Sequence, residues 1–282
     1  MLGAIIGDVA GSYYEVLETE NRNRGFNERV KILDKNTPLF TENSTYTDDT
    51  TLTCAIYDAI VNGNKDYEKY RRSYGLKELS LGGDKFGRNR FGSGFVDWLL
   101  GNGRCDSYGN GCAMRVSPIG YLFDTLEDVK RESKNATIPS HNHKDSIKAS
   151  EAVAVAIFKL RNGETKEDVI EYIKNNYYDL DYDLEDLQRN NKFSSKASIT
   201  VPQAFYIFSI ANCFEDTIRK AISIGGDTDT IAAIAGSIAE SFYGIPDNIK
   251  EEVKEYLTKE QIDLIYNDKR YGGKECKKLL KD

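Results

Sequence analysis

The chain is short of the residues that build thiolate metal sites and disulfide frameworks. Its 282 residues include five cysteines, Cys54, Cys105, Cys112, Cys213 and Cys276, an odd number with no Cys-x-x-Cys pair. That pattern excludes a zinc finger and a disulfide scaffold, and it reads as free thiols in a reducing compartment. Only two histidines are present, His141 and His143. Both precede a helix that starts near Asp145, where metal ligation competes with hydrogen bonding at the helix entry. Positive charge is also lacking. The formal charge of −7 argues against general nucleic-acid binding, which needs a basic face. A local anion pocket stays open, because backbone N–H groups do not enter the charge count. No hydrophobic run approaches a membrane span. The opening MLGAIIGDVAG has no basic region and is broken by Asp8, so it does not read as a signal peptide. A soluble, cytoplasmic protein with no membrane partner is expected.

Prolines are few, five in all, while helix-forming residues are abundant. The periodicity and end signals predict helices over Thr50–Asn62, Asp145–Arg161, Pro202–Cys213, Phe214–Ile224 and Thr228–Tyr243. Another should start at Thr165, with Asp168 completing a capping pattern. Thr228–Tyr243 is apolar on nearly every side, which predicts a central buried helix, and two short helices should finish the chain. Gly3, Gly7 and Gly11 recur every fourth residue in a helix-like segment, a spacing that permits close helix packing. Alternating strand patterns are scarce and there is no doubled repeat, so an all-α domain is expected. Three polar or glycine-rich stretches, Glu18–Tyr46, Gly82–Gly111 and Tyr177–Thr200, read as long loops, which are commonly functional in a compact domain.

Two clusters of oxygen-bearing side chains stand at helix starts. One is Tyr46-Thr47-Asp48-Asp49-Thr50; the other is Asp227-Thr228-Asp229-Thr230 in ISIGGDTDTIAAIAGSIAE. Helix capping accounts for one or two residues of each. The remaining carboxylates repel one another unless a cation intervenes, and an all-oxygen set suits Mg²⁺, Mn²⁺ or Ca²⁺. Asp179, Asp181 and Asp183 imitate the opening of a calcium loop, but Leu184 and Asn190 occupy positions where glycine and glutamate are required. Ser107-Tyr108-Gly109-Asn110-Gly111 reads either as a turn or as a backbone nest for an anion. Tyr108 could stack on a flat ring. Glu15, after the glycine-spaced segment, reads as a surface residue or as a general acid/base.

Five ordered segments resemble the ADP-ribosylglycohydrolase family: GAIIGDVAGSYYE, YTDDT, YGNGCAMRVSPIG, SHNHKDSIKASEAVAVAI with the later TVPQA, and ISIGGDTDTIAAIAGSIAE. That family includes the dinitrogenase reductase-activating glycohydrolase and the eukaryotic ADP-ribosyl-acceptor hydrolases. The resemblance runs nearly end to end. It implies one domain over 1–282, an all-α, compact orthogonal helical bundle with a dinuclear metal centre in a surface cleft, and a monomer is expected. It implies two Mg²⁺ ions, with Mn²⁺ as a substitute, held by Thr47, Asp48, Asp49, Asp227, Asp229 and Thr230. Ser107, Tyr108, Gly109, Asn110, Gly111 and His141 would bind the ADP-ribose moiety. Glu15, Asp49 and Asp229 would serve catalysis. The implied activity is Mg²⁺-dependent cleavage between ADP-ribose and a serine-linked, arginine-linked or related acceptor. Lys196-Ala197-Ser198 stands where relatives often carry Cys-Gln, and Ala149-Ser150 where Gly-Ala is common. Two other readings compete: a non-catalytic ADP-ribose-binding or structural relative, and a metal-dependent phosphoesterase.

Overall fold

The computed structural model describes residues 1–20, 22–85, 87 and 89–266, so Cys276 lies outside the described residues. The first part of the chain forms α1 (Leu2–Glu20), α2 (Arg22–Lys31), α3 (Asp48–Val61), α4 (Tyr67–Ser80) and α5 (Ser93–Leu99). The middle forms α6 (Gly111–Met114), α7 (Ser117–Leu122), α8 (Leu126–Thr137), α9 (Lys144–Arg161), α10 (Lys166–Asn176) and α11 (Leu184–Asn190). The last part forms α12 (Ala197–Ile210), α13 (Phe214–Ser223), α14 (Thr228–Tyr243), α15 (Asp247–Glu252), a 3₁₀ turn over Val253–Tyr256, and α16 (Lys259–Tyr266). Among the described residues the only extended pairing is two isolated bridges, Asp106 with His141 and Gly109 with Lys196. The fold is all-α, as expected.

The core is built around α14, which α1, α9, α12 and α13 surround. Its apolar residues from Ile231 to Ala239 are buried on every side, which explains why its sequence carries no polar face. The α1–α14 pair is the most extensive helix contact, and the reason lies in α1. A Cβ on Gly3 would stand 2.3 Å from Gly236 O, and one on Gly7 would stand 2.1 Å from Ala232 O. The two backbones therefore touch, which only glycine permits. This contact carries the C-terminal half of α1 onto the first turn of α14.

The stretches expected as loops are partly helical. Glu18–Tyr46 contains the end of α1 and all of α2. Its polar sequence is held by arginines rather than by an apolar stripe: Arg29 donates to Gln188 O (2.6 Å), and Arg219 donates to Ile32 O (2.7 Å) and Thr37 O (2.9 Å). Within Gly82–Gly111, α5 is a short helix anchored by buried Trp98, whose indole N–H donates to Pro139 O at 2.7 Å. Within Tyr177–Thr200, Asp183 caps α11 by accepting from Asp186 N at 2.9 Å. The acidic run there is thus partly a helix start. Helix α12 begins at Ala197 and ends at Ile210, so Pro202 lies inside it rather than at its start. The carbonyl its ring leaves without a partner belongs to exposed Ser198, where water can reach it. Helices α4 and α8 carry few apolar residues, and sequence periodicity did not single them out.

Candidate functional site

Thr47 caps α3: its backbone is extended (φ −121°, ψ −161°) and its side-chain oxygen accepts Asp49 N–H at 3.3 Å. Capping therefore explains Thr47. It does not explain Asp227, which occupies the cap position of α14 without a capping side-chain bond. Gly225 and Gly226 precede it at φ 70° and 79°. This left-handed pair reverses the chain after α13 and sets Asp227 against the cleft. Asp227 Oδ2 instead accepts from Asn110 Nδ2 at 2.7 Å. Asp229 Oδ1 accepts from Thr230 N at 2.7 Å, and Thr230 Oγ1 lies 3.3 Å from Asp49 Oδ2. Two helix starts separated by nearly two thirds of the chain therefore meet face to face.

Helix α1 supplies two more carboxylates. Asp8 and Glu15 are two helical turns apart and share a face. Carboxylate oxygens of Asp8, Asp49 and Asp229 lie within 4.8 Å of one another, as do those of Glu15, Asp227 and Asp229. Asp8 is fully buried. It accepts from Thr47 N (2.9 Å), Thr47 Oγ1 (2.7 Å), Thr50 N (3.0 Å) and the Thr50 hydroxyl. It thereby serves the first turn of α3 from another helix, and it takes the hydrogen of the Thr47 hydroxyl, whose oxygen still caps Asp49 N. Sequence reasoning treated Asp8 only as a break in an apolar run. Its seven-residue spacing from Glu15 was the signal that could have found it.

Burial dominates the electrostatics. It raises Asp8 and Asp227 above the usual carboxylate range. Burial, then repulsion from Asp8 and other neighbours, holds Asp48 and Asp49 well above it. Asp229 is raised by burial and then by Glu15, Asp227 and Asp49. Asp49 Oδ1 is buried with no hydrogen-bond partner. A buried, unsatisfied carboxylate oxygen among like charges is costly unless a cation lies beside it. The donors are all hard oxygens. The residues present thus fit a divalent metal ion of the Mg²⁺ or Mn²⁺ type.

These side chains line one cleft of about 790 Å³, and Glu15, Thr47, Asp48, Asp49, Asp227, Asp229 and Thr230 are all in its wall. Ser107, Gly109, Asn110, Gly111 and His141 line the same cleft, and Asn110 touches the carboxylate cluster through Asp227. The loop is pinned from behind: Asn110 N donates to Ser195 O (2.8 Å), and Ser146 Oγ donates to Ser107 O (3.0 Å). Gly109 N–H is spent on Ser107 Oγ at 3.1 Å. Two of the loop's N–H groups are therefore already engaged, and an anion would rely on the others and on His141. Tyr108 does not line the cleft. The residue is 54% exposed, its ring edge-on to His143 at 5.9 Å, with Lys196 Nζ 5.9 Å from the ring centre.

An all-helical bundle with a carboxylate centre facing an anchored glycine loop is thus the class this chain defines. Comparison with known proteins makes it specific. The ADP-ribosylglycohydrolase family model matches residues 1–275, and the chain belongs to that family. It is 25% identical to human ADP-ribosylhydrolase ARH3, over 94% of this chain and 90% of that protein. It is 24% identical to the ADP-ribosylarginine hydrolase Tri1 of Pseudomonas putida, over 94% of this chain and 75% of that protein. A solved structure described as an ADP-ribosylglycohydrolase-related protein complex superposes with a TM-score of 0.62 at 19% identity, covering 94% of this chain and 96% of that one. Among the described residues no helix is long and apolar enough to cross a membrane.

Proposed function

We propose that the chain is a Mg²⁺-dependent hydrolase that cleaves the glycosidic bond between ADP-ribose and a modified acceptor, releasing ADP-ribose. The acceptor is a serine- or arginine-linked protein side chain or a related conjugate. The observation that carries this reading is the convergence of residues 47–49, Asp227, Asp229, Thr230 and Glu15 in one cleft that Ser107, Gly109, Asn110 and Gly111 also line. Family membership supports ADP-ribose as the ligand. The domain is taken as 1–282, acting as a cytoplasmic monomer.

Thr47, Asp48, Asp49, Asp227, Asp229 and Thr230 would hold two Mg²⁺ ions, with Mn²⁺ as a substitute. When bound, such ions supply fixed positive charge and Lewis acidity beside a ribose and its attacking water. The protein's own groups do the rest. Asn110 holds Asp227 in place through its 2.7 Å bond. Asp8 fixes the Thr47 hydroxyl by accepting its hydrogen, so that the oxygen is left as an acceptor only. Glu15 is half-buried and close to Asp227 and Asp229, suited to take the proton of the water that attacks the anomeric carbon. The acceptor oxygen or nitrogen leaves with a proton taken up from solvent, and Glu15 returns the proton it accepted to solvent, so the hydrolysis balances. Asp49 and Asp229 stabilise the oxocarbenium-like charge that develops between these events. Ser107 to Gly111 bind the diphosphate, His141 contacts the ligand close to the ribose, and exposed Tyr108 offers a face for the adenine.

The test is release of ADP-ribose from serine- and arginine-modified peptides with Mg²⁺, beside an Asp227→Asn/Asp229→Asn variant. Release by the native chain alone is expected. No release above the variant on any linkage would overturn the reading. Tight ADP-ribose binding without release would identify a non-catalytic member, and AMP among the products would identify phosphoester chemistry.

A further inference from the structure

Behind the glycine loop lies a second group of buried polar side chains, and it is cationic. Arg71 of α4 and Arg115, directly after α6, are 0% and 1% exposed. Both guanidiniums turn to one hydroxyl: Arg71 Nη1 donates to Ser140 Oγ at 2.7 Å, and Arg115 Nη2 donates to it at 3.1 Å. Ser140 Oγ in turn lies 2.7 Å from His141 Nδ1, and Arg115 Nη2 lies 3.3 Å from the same nitrogen. The ring is 7% exposed.

The donor inventory decides the proton position. A guanidinium has no acceptor, so Arg115 can only donate. Ser140 Oγ already receives two N–H groups, which leaves its own hydrogen for Nδ1. Both groups facing Nδ1 are thus donors. A proton on Nδ1 would oppose them, so it sits on Nε2. That nitrogen opens towards the loop: a Cβ on Gly111 would stand 3.2 Å from it, and one on Gly109 would stand 3.6 Å away.

We propose that Arg115, Ser140 and Arg71 are positioning residues that lock His141 in its neutral Nε2–H tautomer, a fixed donor aimed at the anionic part of the ligand in the 107–111 loop. The ligand half of this inference rests on the function proposed above; the tautomer does not. The charged and titratable groups around the ring support neutrality. Arg115 faces it from the end of α6, and Arg71 reaches it from α4 through Ser140. Asp106 pairs with His141 only through the backbone and is exposed, while Asp145 on α9 lies 3.7 Å from His143. Burial, then Arg115 and Arg71, holds His141 well below the usual imidazole range. The lock also gives two otherwise costly buried cations a role: they polarise the imidazole so that Nε2–H donates more strongly.

Nitrogen NMR of the histidine-labelled full chain tests this directly, because the protein has only two imidazoles and His143→Gln assigns them. His141 should show an unprotonated Nδ1 and a protonated Nε2, unchanged between about pH 5.5 and 8. Ser140→Ala and Arg115→Met should give mixed tautomers and weaken ADP-ribose binding by roughly tenfold in calorimetry, the scale of one charge-assisted hydrogen bond. A protonated Nδ1, or a His141 that titrates in that range, overturns the proposal, and both are read on the unmodified protein even if the variants fail to fold. Folded variants with an unchanged tautomer overturn it as well. If the native chain binds no ADP-ribose while the tautomer is as stated, the proposed function fails and the lock stands.

Discussion

Replacing Gly7 by alanine sets helix propensity against helix packing. In an isolated helix the change is favourable by roughly 0.5–1 kcal/mol, because glycine loses more backbone freedom on folding. In this protein the new Cβ would stand 2.1 Å from Ala232 O, 2.2 Å from Ala232 C and 2.5 Å from Ala233 N. All three are main-chain atoms inside a buried helix and cannot rotate away. Non-bonded carbon contacts are comfortable at about 3.5–4 Å, so α1 and α14 must separate by about 1 Å or more. Gly3 and Gly11 make matching approaches, 2.3 Å to Gly236 O and 2.6 Å to Asp229 Cα, so the separation disturbs the whole seam. Overpacking of this kind costs typically ~1–3 kcal/mol and more where neither side yields. A net loss of about 2–4 kcal/mol is expected, and at roughly 2–4 °C per kcal/mol for a chain this long, a fall of about 5–15 °C in Tm. Because α1 carries Asp8 and Glu15 and α14 carries Asp229, the rise in Tm on adding Mg²⁺ should shrink too. Circular-dichroism melts with and without Mg²⁺ measure both effects. Gly94→Ala is the control, since that glycine lies in α5 with nothing within 4 Å of an added Cβ, and it should be neutral or stabilising. A Gly7→Ala protein as stable as the native one, with a full Mg²⁺ response, would refute the backbone-contact reasoning.

Asp8→Ala removes the acceptor of Thr47 N, Thr50 N and two hydroxyls; at ~1–3 kcal/mol per stranded buried donor, a Tm drop larger than that of an exposed cap loss is expected, with weaker Mg²⁺ binding by calorimetry. The raised acids Asp48, Asp49 and Asp229 bind protons more tightly folded than unfolded, so their contribution to stability without divalent ions is largest at acid pH. It is lost as pH rises from the ordinary value of 3.8 through their elevated folded values. Bound Mg²⁺ favours the ionised forms. The difference between Mg²⁺ and EDTA melting curves should therefore grow from about pH 4 to 8, and a flat difference would contradict the assignment. Asn110→Ala frees Asp227 Oδ2 from its side-chain donor and should lower Mg²⁺ affinity severalfold by calorimetry, with a Tm loss in EDTA on the scale of one buried hydrogen bond, about 1–3 kcal/mol. Tyr108→Ala, at an exposed ring, should raise KM for an ADP-ribosylated peptide with little change in kcat, and an unchanged KM would remove Tyr108 from the adenine contact.

Much of the scaffold was legible because its signals are local. The end glycines and periodicity of α9, α13 and α14 place their boundaries within a residue or so, and α14 is the buried central helix its composition predicts. The polar helices were less legible. In α2 and α5 the stabilising contacts are an arginine to a distant carbonyl and a tryptophan to Pro139 O, neither of which leaves a repeat in the sequence. Pro202 misled for a related reason, since what matters is whether the carbonyl it strands can reach water.

The chain alone determined that carboxylates crowd the starts of two helices, and that glycines recur where a helix could approach another closely. Tertiary structure decided what those features mean. The glycine seam brings α1 against α14, which puts Asp8 and Glu15 among carboxylates that lie far away in sequence. The same assembly gives Asp227 to Asn110 rather than to its own helix, and sets two arginines behind His141. Helix ends depend on neighbours three or four residues away, so a sequence displays them. A shared buried charge depends on which distant backbones can touch, and that appears only when the chain is folded.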